Sequence, residues 1–182
     1  MIIISNTSPI NYLILIGQID LLPQLFSQII IPCAVYQELS ARDAPENVRN
    51  WIINTPNWLK IETVTQPADE IIDLLDPGER EAILLAQQLN ADLVILDDMK
   101  ARRIAIDRGL SITGILGILD QATTMKLINL STAIDNLQKT SFWVSESLLL
   151  GSSPKNWNRF LFFRISGKFD PYLRNVGCYK DC

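Results

Sequence analysis

Three short apolar runs, two ending in polar residues and one stopped by proline, each followed by helix signals, constrain this chain most. They are Ile2-Ile3-Ile4-Ser5, Ile29-Ile30-Ile31 and Leu93-Val94-Ile95-Leu96. Each is β-branched or aliphatic without polar alternation, so each reads as a strand buried on both faces, as in a parallel sheet. Parallel neighbours need long crossovers, and the intervening segments supply them as amphipathic helices.

The helix signals are specific. Ser8 reads as a cap with Pro9 at the first helical position, and Ile10, Leu13, Ile14 and Ile16 recur at helical spacing up to Gly17. Leu21, Leu22, Leu25 and Phe26 predict a second helix near 20–27. Pro32 stops the second strand, and Val35, Tyr36 and Leu39 mark a helix that contains Glu38. A short helix is expected around Val48 to Ile53, an edge strand from Lys60 to Val64, and a helix from Ala68 to Leu75. Asp76-Pro77-Gly78-Glu79 is a helix start, with Asp76 as cap, Pro77 first and Glu79 at the capping-box position. Ala82, Leu85, Ala86 and Leu89 continue it. A basic helix follows Asp97-Asp98 and ends at Gly109. Ser111 to Thr113 reads as a strand, and Gly114 to Leu127, Ser131 to Leu137 and Ser145 to Leu150 read as helices. The expected fold class is α/β, three layers with a central, mostly parallel sheet.

Composition narrows the chemistry. The 182 residues include no histidine, which excludes a Ser-His-Asp triad, a Cys-His pair and an imidazole base. Hydrolytic chemistry must then rest on carboxylates, hydroxyls or an oxygen-held metal. The three scattered cysteines make no disulfide framework, which points to a reducing compartment, the cytoplasm. No apolar run approaches the roughly 20 residues needed to span a bilayer. The N-terminus lacks the basic flank of a signal peptide, and Asn6 interrupts its apolar run.

In open α/β sheets, ligands bind beyond the carboxyl ends of the strands. Asn6 and the Asp97-Asp98 pair fall there. Glu79 lies in line with Ala82, Ile83 and Ala86 on the core-facing stripe, at about 100° per residue. Glu81 lies about 200° from Glu79 on the same count and is expected to face water. An acid on a core stripe is costly unless something offsets its charge. A metal shared with other acids would do so; a capping box with Asp76 is the simpler alternative, and one residue can serve both. One of Asp97 and Asp98 is expected to cap the next helix, and successive residues point to opposite faces. Glu38 taken alone reads as a solvated helix residue.

Residues 1–150 carry 10 Lys+Arg against 18 Asp+Glu, whereas 151–182 carry 6 against 2 and hold 7 of the 14 aromatics. We therefore divide the chain into a domain at 1–149 and a basic, aromatic tail at 150–182. Gly151 to Pro154 reads as a linker. Trp157, Phe160, Phe162, Phe163 and Phe169 with Arg159, Arg164 and Lys168 suit stacking on single-stranded nucleic acid, docking on a partner, or an appended sequence without a role. Lys100, Arg102 and Arg103 just beyond Asp98 are candidate phosphate contacts, against the alternative of a solvated helix face.

Taken together, several segments resemble a known family. They are Ile-Ile-Ile-Ser-Asn6-Thr7-Ser8-Pro9, Pro32-Cys-Ala-Val-Tyr-Gln-Glu38-Leu, Pro-Gly78-Glu79-Arg-Glu81-Ala-Ile, Val-Ile-Leu-Asp97-Asp98 with Ala101-Arg102, and Thr113-Gly114 with Gly117. The chain resembles PIN-like domains, in a prokaryotic branch related to VapC-type toxins, over about residues 1–149. The resemblance implies an α/β/α nuclease that hydrolyses RNA with Mg²⁺ or Mn²⁺. It assigns Glu38, Glu79, Asp97 and Asp98 as catalytic acids, and Asn6, Glu79, Asp97 and Asp98 as metal ligands. It also implies a small antitoxin partner and homodimerisation. Asn6 departs from the pattern, which usually has aspartate there, and takes one negative charge from the site. The implied function is the toxin component of a toxin-antitoxin system. The alternative is a weakened, PIN-like binding module descended from one.

Overall fold

The computed structural model describes residues 1–142. The expected helix at Ser145 to Leu150, the boundary at 149/150 and the aromatic tail lie outside the described residues.

Five strands form one parallel sheet: β1 (Ile3–Ser5), β2 (Ile29–Pro32), β3 (Leu59–Glu62), β4 (Leu93–Ile95) and β5 (Ile112–Thr113). Their order is β3-β2-β1-β4-β5, and every pairing is parallel. The register aligns Ser5 with Ile95, so the residues after them emerge together at one edge. The helices are α1 (Thr7–Leu15), α2 (Leu21–Phe26), α3 (Cys33–Ser40), α4 (Glu46–Ile53), α5 (Pro77–Leu89), α6 (Met99–Asp107), α7 (Ile115–Thr124) and α8 (Leu130–Gln138).

Strand alternation divides the core in two. Ile3, Ile29, Ile31, Leu93 and Ile95 join α1, α2, α3, α4, α7 and α8 on one face. Ile4, Val94 and Ile112 join α5 and α6 on the other. Ile3, Ile4, Val94 and Ile95 are fully buried, which is why the strands read as unbroken apolar runs. The result is the expected three-layer α/β/α architecture. Among the described residues, no helix is long and apolar enough to cross a membrane.

Three local expectations are corrected. Ala68 to Leu75 is not an α-helix; only a 3₁₀ turn forms at Ile72–Leu74. The Asp69 carboxylate takes the N–H groups of Ile71 and Ile72 as a cap would, so the turn starts only after Asp69, and it ends where Leu75 becomes extended at ψ 158°. Arg108 then clamps Asp69 through both carboxylate oxygens at 2.6 and 2.8 Å. The first helix starts earlier than Ser8: Asn6 occupies the cap position and Pro9 the third helical position, where the N–H it lacks has no helical partner to lose. Helix α7 stops at Thr124 rather than Leu127, because Lys126 takes a left-handed φ of 60°.

Candidate functional site

The site lies at the carboxyl edge of β1 and β4, where α1, α5, α6 and α7 begin. Asn6 follows β1 directly, and its N–H donates to the Ile95 carbonyl at 3.1 Å. Asn6 is 2% exposed. Asparagine at a helix cap ordinarily turns its side chain onto the first helical N–H groups. Here it makes no such bond, and Oδ1 is buried without a hydrogen-bond donor. A buried acceptor left this way is costly unless a partner arrives.

Glu38 reaches the site from the second turn of α3. Its Oε2 accepts from the Thr7 hydroxyl, and its Oε1 accepts from the Gly78 N–H at 2.7 Å. Gly78 is necessary for this approach: a Cβ there would lie 2.8 Å from Oε1 and closer to Oε2. Glu38 is therefore docked between the first turns of α1 and α5, a role its helix position alone does not reveal.

Asp76 is the α5 cap residue, but its side chain makes no capping bond. Glu79 is half-buried. Burial raises its carboxyl from 4.5 to about 7, and the negative charges of Asp98, Asp76 and Glu38 push the same way. The Asp76 N–H opposes the rise, so part of the expected capping box is present. The same charges place Glu38, Asp76, Glu79 and Asp98 in one electrostatic neighbourhood.

The Asp97-Asp98 pair divides its work. Asp98 is exposed and caps α6, accepting from the Ala101 N–H at 2.8 Å. Asp97 turns inward. Its Oδ1 accepts from the Ile115 N–H at 2.9 Å, at the start of α7. Its Oδ2 is buried and unpartnered. Burial raises Asp97 to about 6, against the Ile115 N–H and the Arg102 charge. Gly114 leaves the room for this: a Cβ there would stand 2.5 Å from Asp97 Oδ1 and 3.2 Å from the Leu96 carbonyl oxygen.

The basic residues part company. Arg102 points inward and donates to the Leu96 carbonyl at 2.7 Å; burial lowers its pKa, and Asp97 opposes this. Lys100 donates to the Leu74 carbonyl at 2.8 Å. Arg103 is exposed.

Glu81 does not face water. It accepts from the Ala34 N–H at 3.0 Å, at the first turn of α3. The face opposite the core stripe of α5 meets a helix N-terminus, whose free N–H groups and positive dipole end attract a carboxylate. Thr7, Gly78, Glu81 and Gly114 thus shape the site without having been picked out as candidates. Thr7 and Gly78 carried one available signal: each adjoins a candidate, Asn6 and Glu79.

The donors here are all oxygens, and two of them are buried without a hydrogen-bond donor. Such a set suits a hard divalent cation. Among the described residues, no three side chains of Asp, Glu or Cys gather closely enough to hold an ion by themselves. Mg²⁺ tolerates this, since it keeps several waters and takes one or two carboxylates.

A search of curated proteins finds no match to this chain. The DUF3368 family model, described as a PIN domain, matches residues 2–151. PIN domains are nuclease-type folds that act on nucleic acids and generally depend on divalent metals. With its all-parallel sheet and its acids at the carboxyl edge, the chain belongs to the PIN domain family.

Proposed function

We propose that this chain is a metal-dependent endoribonuclease, the toxin component of a toxin-antitoxin pair, acting in the cytoplasm. The observation that carries the reading is the pairing of unsatisfied oxygens with crowded acids. Asn6 Oδ1 and Asp97 Oδ2 are buried without donors, beside an edge where burial, joined by the charges of Asp98, Asp76 and Glu38, raises the Glu79 carboxyl. Asn6, Glu79, Asp97 and Asp98 would hold Mg²⁺ or Mn²⁺. When bound, the ion supplies an activated water and offsets charge on the phosphate. Glu79, with a pKa of about 7, is suited to hold or release a proton near neutral pH. Glu38 stands near it, held by the Thr7 hydroxyl and the Gly78 N–H. Arg103 and Lys100 are the cations best exposed for an RNA backbone, while Arg102 is turned inward onto the Leu96 carbonyl. A small antitoxin protein and a second copy of the chain are the partners this reading includes.

A second reading is favoured by one residue. Asn6 offers a neutral oxygen where an aspartate would bring charge, so a weakened, RNA-binding or protein-binding relative is the alternative. RNA cleavage by the purified chain in Mn²⁺ separates the two. Cleavage abolished both by EDTA and by Glu79→Ala supports the nuclease. A folded chain that does not cut, while Asn6→Asp does, favours the binding module.

A further inference from the structure

We infer that Thr7 is a positioning residue that sets the separation between Asn6 and Glu79 by fixing the Glu38 carboxylate. The inference rests on the metal-site reading above and adds a residue to it. Thr7 is the neighbour of Asn6, and Gly78 is the neighbour of Glu79. The Glu38 side chain joins the two: the Thr7 hydroxyl donates to Oε2 and the Gly78 N–H donates to Oε1. One carboxylate thus spans from the first residue of α1 to the second residue of α5.

The bridge also fills a gap in α5. The first N–H groups of a helix have no helical acceptor, and Asp76, at the cap, supplies none from its side chain. Glu38, brought from α3, takes the Gly78 N–H instead. The start of α5, and Glu79 with it, is therefore anchored through Glu38. The terminal torsion of a glutamate is broad and roughly two-fold, so one bond leaves the carboxylate free to turn. Two bonds from different helices fix its plane. Each oxygen still has a lone pair to direct at the cleft. Losing the Thr7 hydroxyl would release that plane without touching Asn6, Glu79 or the metal ligands.

The test uses the full chain, titrated calorimetrically with Mn²⁺, with the Gly78 amide proton followed by NMR. Thr7→Val removes the hydroxyl at nearly constant volume. It is expected to weaken Mn²⁺ binding about five- to tenfold, the worth of one ordinary hydrogen bond. It is also expected to move the Gly78 amide resonance upfield as the carboxylate turns away. Thr7→Ser, which restores the donor, is expected to return both readouts to near wild type, a rescue that a packing role for the Thr7 methyl would not give. Wild-type Mn²⁺ affinity in Thr7→Val, with an unmoved Gly78 resonance, would overturn the inference. Absence of Mn²⁺ binding by the wild-type chain would instead remove the metal-site reading. The Gly78 resonance would still decide whether Thr7 holds Glu38.

Discussion

Glu38 and Asp97 stand at opposite corners of the same edge and are held in opposite ways. Glu38 has a donor on each oxygen, from two different helices. Asp97 has one oxygen on the Ile115 N–H and the other buried alone. Each is crowded by a glycine, but the crowding differs. At Gly78 the atoms in the way belong to the tip of the Glu38 side chain; at Gly114 they include the Leu96 backbone. The Glu38 corner is built for placement and can yield at a side chain. The Asp97 corner is built around an unmet charge and cannot yield without moving a strand end.

The largest expected effect follows from that rigidity. Gly114→Ala should destabilise the fold by about 2–3 kcal/mol, the range of overpacking in a close-fitted site, read as a shift in urea midpoint. Gly78→Ala is the contrasting substitution. Alanine is the better helix former, and Glu38 can swing aside, so stability should stay within about 0.5 kcal/mol of wild type. Mn²⁺ affinity should nevertheless fall about tenfold, by the same hydrogen-bond argument as above. Equal loss of stability in the two variants would erase the distinction between the corners.

Acidity sharpens the comparison next. Glu79 and Asp97 both bind a proton more tightly when folded, at about 7 and about 6 against ordinary values of 4.5 and 3.8. The stability linked to these protons is complete below the ordinary carboxylate range and is lost as pH rises through about 6 to 7. The metal-free chain should therefore melt lower at pH 8 than at pH 5 by a few degrees, about the effect of 1 kcal/mol at this size. Glu79→Gln should flatten part of that slope. A melting temperature that is level or rising over this interval would count against the crowding of acids described here.

The smallest effect is expected from the tail. Deleting 151–182 should leave the melting transition within about 2 °C of the full chain, less than 1 kcal/mol at this size. A collapsed transition would make the tail part of the fold.

The sequence carried the layers well and the site's wiring poorly, for a physical reason. Strands such as β1 and β4 announce themselves because burial on both faces leaves them almost wholly apolar, with Ser5 the one polar residue in the two. The acids at the edge were legible because polar residues must follow such strands, and Asp98 as the α6 cap follows a local rule. The expected helix at 68–75 shrank to one turn because Asp69 caps it from inside that span and Leu75 is already extended ahead of Pro77. Glu81 was misread because helix periodicity tells which face leaves the core, not that α3 waits there. Thr7 and Gly78 were quoted only as parts of a pattern, since their partner, Glu38, is 31 and 40 residues away.

The most direct measurement is a Mn²⁺ titration of the wild-type chain at pH 7, by calorimetry in two buffers of different ionisation enthalpy. Saturable binding with net proton release is expected, because the ion displaces the proton that Glu79 holds near that pH. Glu79→Ala should then bind more weakly and release fewer protons. No saturable heat from a folded sample, or identical binding and proton release in Glu79→Ala, would contradict a divalent-metal centre at this edge.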